Sequence, residues 1–200
     1  MPSMSSPNPD ITGVILVGGQ SRRMGTDKAF LDLRGRPLIE RVLRVCEEVC
    51  GSVLLVGNRP ERFSAYGLPV VPDIYPGSSL GGLYTGLSHA STPTIFATPC
   101  DIPFPNAAIM RHLISCRDDY DAVVPLTTHG VEPLFAIYTK ACLEPMRRML
   151  EAGNVRIHDL YSLIRIRYVE TAELASLDPF GTAFLNLNTP DDYEKARGKE

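Results

Sequence analysis

Cysteine is sparse and unpatterned in this chain. The five cysteines (Cys46, Cys50, Cys100, Cys116 and Cys142) are odd in number and lack CxxC spacing. That excludes a disulfide framework or a zinc knuckle and fits a reducing cytoplasm. Long apolar runs are missing too, since no stretch reaches the roughly 18 residues of a membrane span. The opening MPSMSSPNPD has neither the basic start nor the apolar middle of a secretion signal, so residues 1–10 read as a disordered tail. Positive charge is not in excess: a net charge of −3 gives no general attraction to nucleic acid, and any polyanion site must be local. The four histidines show no metal spacing, and no Ser-His-Asp or Cys-His set is apparent. Without a low-complexity tract, a linker or an internal repeat, the 200 residues read as one domain over 11–200.

What is present is alternation. ITGVILV (11–17) is a continuous, β-branched apolar run, the pattern of a strand buried on both faces. PLIERVLRVCEEV (37–49) then changes to helical spacing, with Pro37 suited to a first turn. SVLLVGN (52–58), PVVPD (69–73), TIFATPCD (94–101), AVVPL (122–126), LFAIYT (134–139) and RIRYVE (165–170) read as further strands. GGLYTGLSHA (81–90), NAAIMRHLISC (106–116) and CLEPMRRMLEAG (142–153) read as helices, the first softened by glycine. This order predicts a three-layer α/β/α sandwich around a mainly parallel, doubly wound sheet. In such sheets ligands bind beyond the carboxyl ends of the strands. The first four runs end in polar residues: GGQSRRMGTDK, Gly57-Asn58, Pro72-Asp73 and Cys100-Asp101.

The first of these ends suits an anion. Consecutive glycines let main-chain N–H groups approach a phosphate, while Arg22, Arg23 and Lys28 add charged donors. It is not a P-loop, because Thr26 and Asp27 separate Gly25 from Lys28 and Ala29 follows; nor is there a GxGxxG. Asp101 at a strand end over that loop is placed for Mg²⁺, which takes one or two carboxylates plus substrate phosphates. Equally, Asp101 before Ile102-Pro103 and Asp73 after Pro72 could close turns, and Asn58 could be an ordinary loop asparagine.

The stretch Leu16 to Lys28 resembles the LxGGxSxRMGxxK signature of the nucleotidyltransferases, specifically the molybdenum cofactor guanylyltransferases of the MobA family. The similarity continues through GRPLIERV (35–42), VGN (56–58), PD (72–73), SLGGL (79–83), PCDIPF (99–104), EPLFAIY (132–138) and FLNLNTPDDY (184–193). It implies a nucleotide-diphospho-sugar-transferase type of fold. By the resemblance, Leu16, Val17, Gly18 and Gly19 line the base and phosphate pocket, and Arg22 and Lys28 serve the triphosphate. Asn58 and Asp73 contact the nucleotide, Asp73 by accepting from a guanine edge, and Asp101 binds both nucleotide and metal. Arg156 (with His158 nearby), Asn186 and Asn188 are candidates for the acceptor or a second metal contact. Asn188 or Thr189 before Pro190 also reads as a helix N-cap.

The activity implied is transfer of GMP from GTP to the terminal phosphate of molybdopterin, with Mg²⁺ or alternatively Mn²⁺. Handover among molybdenum-insertion and molybdoenzyme-maturation proteins is implied as well. Three alternatives stand beside it: a cytidylyltransferase on the same pterin, a sugar-phosphate nucleotidyltransferase, and a non-catalytic nucleotide-binding relative. Gly18-Gly19 favours guanine, since the cytidylyl relatives carry LAAG, while Val17 departs from the usual alanine.

Overall fold

The computed structural model describes residues 6–18, 28–187 and 189–198. The sheet strands are β1 (Asn8–Leu16), β2 (Cys50–Val56), β3 (Val70–Val71), β4 (Thr94–Pro99), β5 (Ala122–Thr127), β6 (Gly130–Val131), β7 (Ala136–Thr139) and β8 (Ile166–Glu170). The helices are α1 (Leu38–Val49), α2 (Ser79–His89), α3 (Ala107–Ser115), α4 (Leu143–Glu151), the short α5 (Ile157–Leu160) and α6 (Thr171–Leu174), and α7 (Pro190–Arg197).

The sheet runs β3-β2-β1-β4-β7-β5-β6, with β8 also paired to β5. Pairings β1·β2, β1·β4, β2·β3 and β5·β8 are parallel, whereas β4·β7, β5·β7 and β5·β6 are antiparallel. The mainly parallel α/β architecture expected from the sequence is thus present, with β7 inserted between β4 and β5 against the common direction.

Strict alternation explains why both faces are apolar. Ile11, Ile15 and Val17 of β1 and its end share a core with Ile39, Val42 and Cys46 of α1 and Ile109 and Leu113 of α3. Val14 and Leu16 point the other way, into a core with Leu80, Leu83 and Leu87 of α2 and Met146, Met149 and Leu150 of α4. Two helices therefore cover each face. Glycine in α2 brings that helix close to the sheet: a Cβ on Gly86 would stand 2.4 Å from Val14 Cγ1.

Two boundaries differ from the sequence reading. β1 begins at Asn8, paired with Cys50, so residues 8–10 belong to the sheet and not to a tail ending at residue 10. The cause is local: Gly51 has no side chain where Pro9 crosses, and a Cβ there would lie 2.6 Å from Pro9 Cα. The late FLNLN segment is not a strand in its described part; Ala183 and Phe184 form a turn and Leu185–Leu187 is irregular. Leu187 instead enters a small core with Leu33, Leu38 and Ala196, which docks α7. The start of α7 is capped by Thr189, whose hydroxyl accepts from Asp192 N–H while the Asp192 carboxylate accepts from Thr189 N–H.

Candidate active site

Strand ends build the site. A cavity of about 400 Å³ opens at the carboxyl edge of the sheet, within the range of small-molecule sites. Its walls include Leu16, Val17 and Gly18 after β1, Val56 of β2, Asp73 after β3, and Pro99 to Ile102 at the end of β4. Four successive parallel strands converge there, as doubly wound topology dictates.

Lys28 opens a 3-10 turn (Lys28–Phe30) that follows the glycine-arginine loop. Its Nζ lies 3.4 Å from Asp101 Oδ2, with the side chains 18% and 19% exposed. Two groups 73 residues apart in sequence thus meet in one cavity. A half-screened pair of this kind adds little to stability; its value is placement, a cation and a carboxylate at the same mouth. Among the described residues no group of three His, Cys, Asp or Glu side chains could hold a metal.

Asp73 is fixed by its neighbours. Its Oδ1 accepts from the Thr85 hydroxyl at 2.9 Å and from Tyr75 N–H at 3.0 Å. Thr85 is fully buried in α2, and its oxygen also accepts from Ile74 N–H at 2.9 Å. These bonds leave Oδ2 as the oxygen they do not use. Asn58 plays a supporting part: its Oδ1 accepts from Asp73 N–H at 2.9 Å, and it is not among the residues that line the cavity.

The start of α2 faces the same space. Ser78 caps it by accepting from Gly81 N–H at 3.0 Å, and Ser78, Ser79 and Gly82 line the cavity. Gly81 is required here, because a Cβ would sit 2.0 Å from the Tyr75 carbonyl oxygen. Val17, the departure from alanine, is accommodated opposite Gly57, where a Cβ would lie 2.7 Å from Val17 Cγ2.

Of the remaining expected site residues, Asn186 lines the cavity. Arg156 does not: it is exposed at the N-terminal end of α5, and His158 two residues on is exposed as well. Gly19, Arg22 and Asn188 lie outside the described residues. Sequence reasoning missed Thr85, Ser78, Glu132 and Phe184. Glu132 and Phe184 stood inside quoted segments, EPLFAIY and FLNLNTPDDY, with no role attached.

A glycine-bearing strand end, a lysine and a strand-end carboxylate meet at the carboxyl edge of this α/β sheet, the arrangement of a nucleotidyltransferase. The family comparison agrees with that class. The family model for the MobA-like NTP transferase domain matches residues 13–170, and the chain belongs to that family. It is 38% identical over 93% of its length, and 91% of the relative's, to a probable molybdenum cofactor guanylyltransferase of Pelotomaculum thermopropionicum. A molybdenum cofactor guanylyltransferase of Desulfosudis oleivorans is 36% identical, over 93% of this chain and 94% of that one. The crystal structure of molybdopterin-guanine dinucleotide biosynthesis protein A from Archaeoglobus fulgidus superposes with a TM-score of 0.83 at 27% identity, covering 94% and 97% of the two chains. No helix among the described residues is long and apolar enough to cross a membrane.

Proposed function

We propose that this protein transfers GMP from GTP to the terminal phosphate of a molybdopterin, forming the guanine dinucleotide and releasing pyrophosphate. The observation that carries the reading is the meeting of Lys28 and Asp101 in the cavity that Asp73 also lines.

The reaction is an in-line displacement at the α-phosphorus of GTP. An oxygen of the acceptor phosphate forms the new P–O bond, and the bond from the α-phosphorus to the bridging oxygen breaks, its electron pair leaving with pyrophosphate. A phosphate nucleophile is already ionised at neutral pH, so no general base is needed. That is consistent with a cavity lined by a lysine and carboxylates and by no histidine among its described residues. Positioning and charge neutralisation supply most of the acceleration in such transfers.

In this reading Lys28 neutralises the triphosphate, a role proposed also for Arg22, which lies outside the described residues. Leu16, Val17 and Gly18, which line the cavity, take the base and phosphates, a role proposed also for Gly19. Asp73 Oδ2 accepts from the ring N–H and amino group of guanine, while Asn58 and Thr85 hold Asp73 in place. Asp101, with the Asn186 side chain on the same cavity wall, forms an oxygen-donor set suited to a substrate-borne divalent ion. When bound, Mg²⁺, or Mn²⁺ in its place, spreads the charge of the triphosphate. A single carboxylate fits Mg²⁺, which draws most of its other ligands from phosphates and water.

Delivery of the product to proteins that insert molybdenum or mature molybdoenzymes belongs to the same reading. So does a reducing cytoplasm, which suits cysteines that are all free thiols.

The test is pyrophosphate release from purified protein with Mg²⁺, molybdopterin and each of GTP, CTP and ATP. Release with GTP alone among the three supports the reading; equal or faster release with CTP overturns the guanine assignment.

A further inference from the structure

One carboxylate in the cavity has no part in the chemistry above. Glu132 follows β6 and lines the cavity together with Pro133, Phe135, Phe184 and Asn186. Its main chain is pinned at both ends: its N–H donates to the Pro125 carbonyl at 3.0 Å, and its own carbonyl accepts from Phe135 N–H at 3.3 Å. The adjoining Pro133 carbonyl accepts the hydroxyl of fully buried Tyr138 at 2.7 Å. Burial of this carboxylate raises its pKa against the opposing effects of His129 and of a hydrogen bond with the Thr127 side chain. A carboxylate partly desolvated at a cavity wall is costly, and a ligand that brings N–H donors to it offsets that cost.

Aromatic rings flank it. Phe96, Phe135 and Phe184 form a chain of edge-to-face contacts, with centroids 4.9 Å and 5.6 Å apart, and the last two line the cavity. Aromatic rings and a carboxylate lining one cavity suit a planar heterocycle that presents two adjacent N–H donors.

Position along the sheet tells which heterocycle. Asp73 follows β3, to one side of β1 and β4, whose ends carry Lys28 and Asp101. Glu132 lies on the other side, where β7 and β6 share one edge of β5. A dinucleotide product has its pyrophosphate in the middle and a ring at each end. With the guanine toward Asp73, the ring toward Glu132 belongs to the acceptor. Guanine and pterin carry the same 2-amino-4-oxopyrimidine edge, so a second carboxylate opposite the first is chemically fitting.

We infer that Glu132 recognises the acceptor, its carboxylate oxygens accepting from the ring N–H and 2-amino group of a pterin laid against Phe184. This inference rests on the guanylyl-transfer reading for the identity of the acceptor, and its test does not depend on turnover.

Binding of 6-hydroxymethylpterin and of lumazine, which has an oxo group in place of the 2-amino group, is followed by pterin fluorescence in the wild type, Glu132→Gln and Glu132→Asp. GTP affinity is measured on the same proteins by calorimetry. The wild type is expected to prefer the pterin by at least about tenfold, the scale of a lost charge-assisted hydrogen bond. Both variants should lose that preference while GTP affinity stays within about twofold, well below the same scale. Should Glu132→Gln fail to fold, the Asp variant carries the comparison. Pterin preference retained in the variants, or absent from the wild type, overturns the inference. Loss of GTP affinity with pterin binding intact also overturns it, and assigns Glu132 to guanine. Pterin preference intact in a wild type that releases no pyrophosphate from GTP and molybdopterin refutes the transfer reaction while leaving the pterin site standing.

Discussion

Lys28 Nζ stands 3.4 Å from Asp101 Oδ2 across the mouth of the cavity. The first residue opens the 3-10 turn Lys28–Phe30, and the second follows β4, the parallel neighbour of β1. A cation for the triphosphate and a carboxylate for its metal thus stand side by side in one cavity.

Replacing either partner separates the two roles. Asp101→Asn keeps shape and removes the charge, and is expected to lower kcat by about a hundredfold or more, the scale of losing one preorganised electrostatic contact. Lys28→Ala is expected to weaken GTP binding by about ten- to a hundredfold, as for a lost hydrogen bond to a charged group. Steady-state kinetics with GTP, Mg²⁺ and molybdopterin distinguish them; wild-type turnover in the Asn variant contradicts the role of Asp101.

Asp73→Asn tests base recognition. The amide oxygen still accepts from Thr85 and Tyr75 N–H, so the melting temperature should change little. An amide nitrogen in place of Oδ2 opposes the guanine donors, and GTP affinity should fall about tenfold or more. Calorimetric titration that shows unchanged GTP affinity refutes the contact.

Close approach of α2 to β1 makes Gly86→Ala a stability probe. The added methyl meets Val14 Cγ1 at 2.4 Å in a filled core, where overpacking costs about 1–3 kcal/mol. Better helix propensity returns about 1 kcal/mol of that. A net fall in melting temperature of a few degrees is expected by calorimetry, about 2–4 °C per kcal/mol at this size. A rise instead shows that the helix can shift outward.

Thiol chemistry should divide the five cysteines. Burial pushes the Cys50 and Cys142 thiols up to about 12 and that of Cys46 well above the usual range. At pH 8 these three should resist iodoacetamide in the native protein. Cys100, which lines the cavity, should be alkylated and then protected by GTP with Mg²⁺. Peptide mass spectrometry reads both effects, and modification of Cys100 at an unaltered rate with nucleotide present contradicts its location.

Acid stability has an identifiable contributor. Asp121 accepts from the Arg165 side chain and main-chain N–H, and the Arg165 side-chain hydrogen bond holds its carboxyl below the usual range. A depressed folded-state pKa gives stability that is present above the unfolded-state value, about 3.9, and is lost as pH falls through the folded one. Asp121→Asn should lower the urea midpoint at pH 7 and narrow its gap to the wild type as pH falls below about 4. An equal gap at pH 7 and pH 3 contradicts this.

Much of this was legible in the chain itself. Apolar runs of β-branched residues located β1, β2, β4 and β5, and the polar residues after β1, β3 and β4 marked Gly18, Lys28, Asp73 and Asp101 of the cavity, whereas Gly57 and Asn58 after β2 do not line it. The antiparallel place of β7 was not legible, because LFAIYT reads alike in either direction. Thr85 was hidden for a related reason: within GGLYTGLSHA it is one helical residue, and only packing against β3 turns its hydroxyl toward Asp73. The bond of Asn58 to Asp73 was not legible either, since it joins a side chain to the main chain of a residue fifteen positions on. Asn186 lines the cavity from an irregular segment, the turn before it being set by Asp178, whose carboxylate accepts from Thr182 and Ala183 N–H.

The most direct test is a crystal structure with GTP and Mn²⁺, using the metal's anomalous signal. The account predicts a peak on the Asp101 carboxylate, triphosphate oxygens against Lys28 and the guanine edge at Asp73. Metal or triphosphate bound away from Lys28 and Asp101 would contradict it.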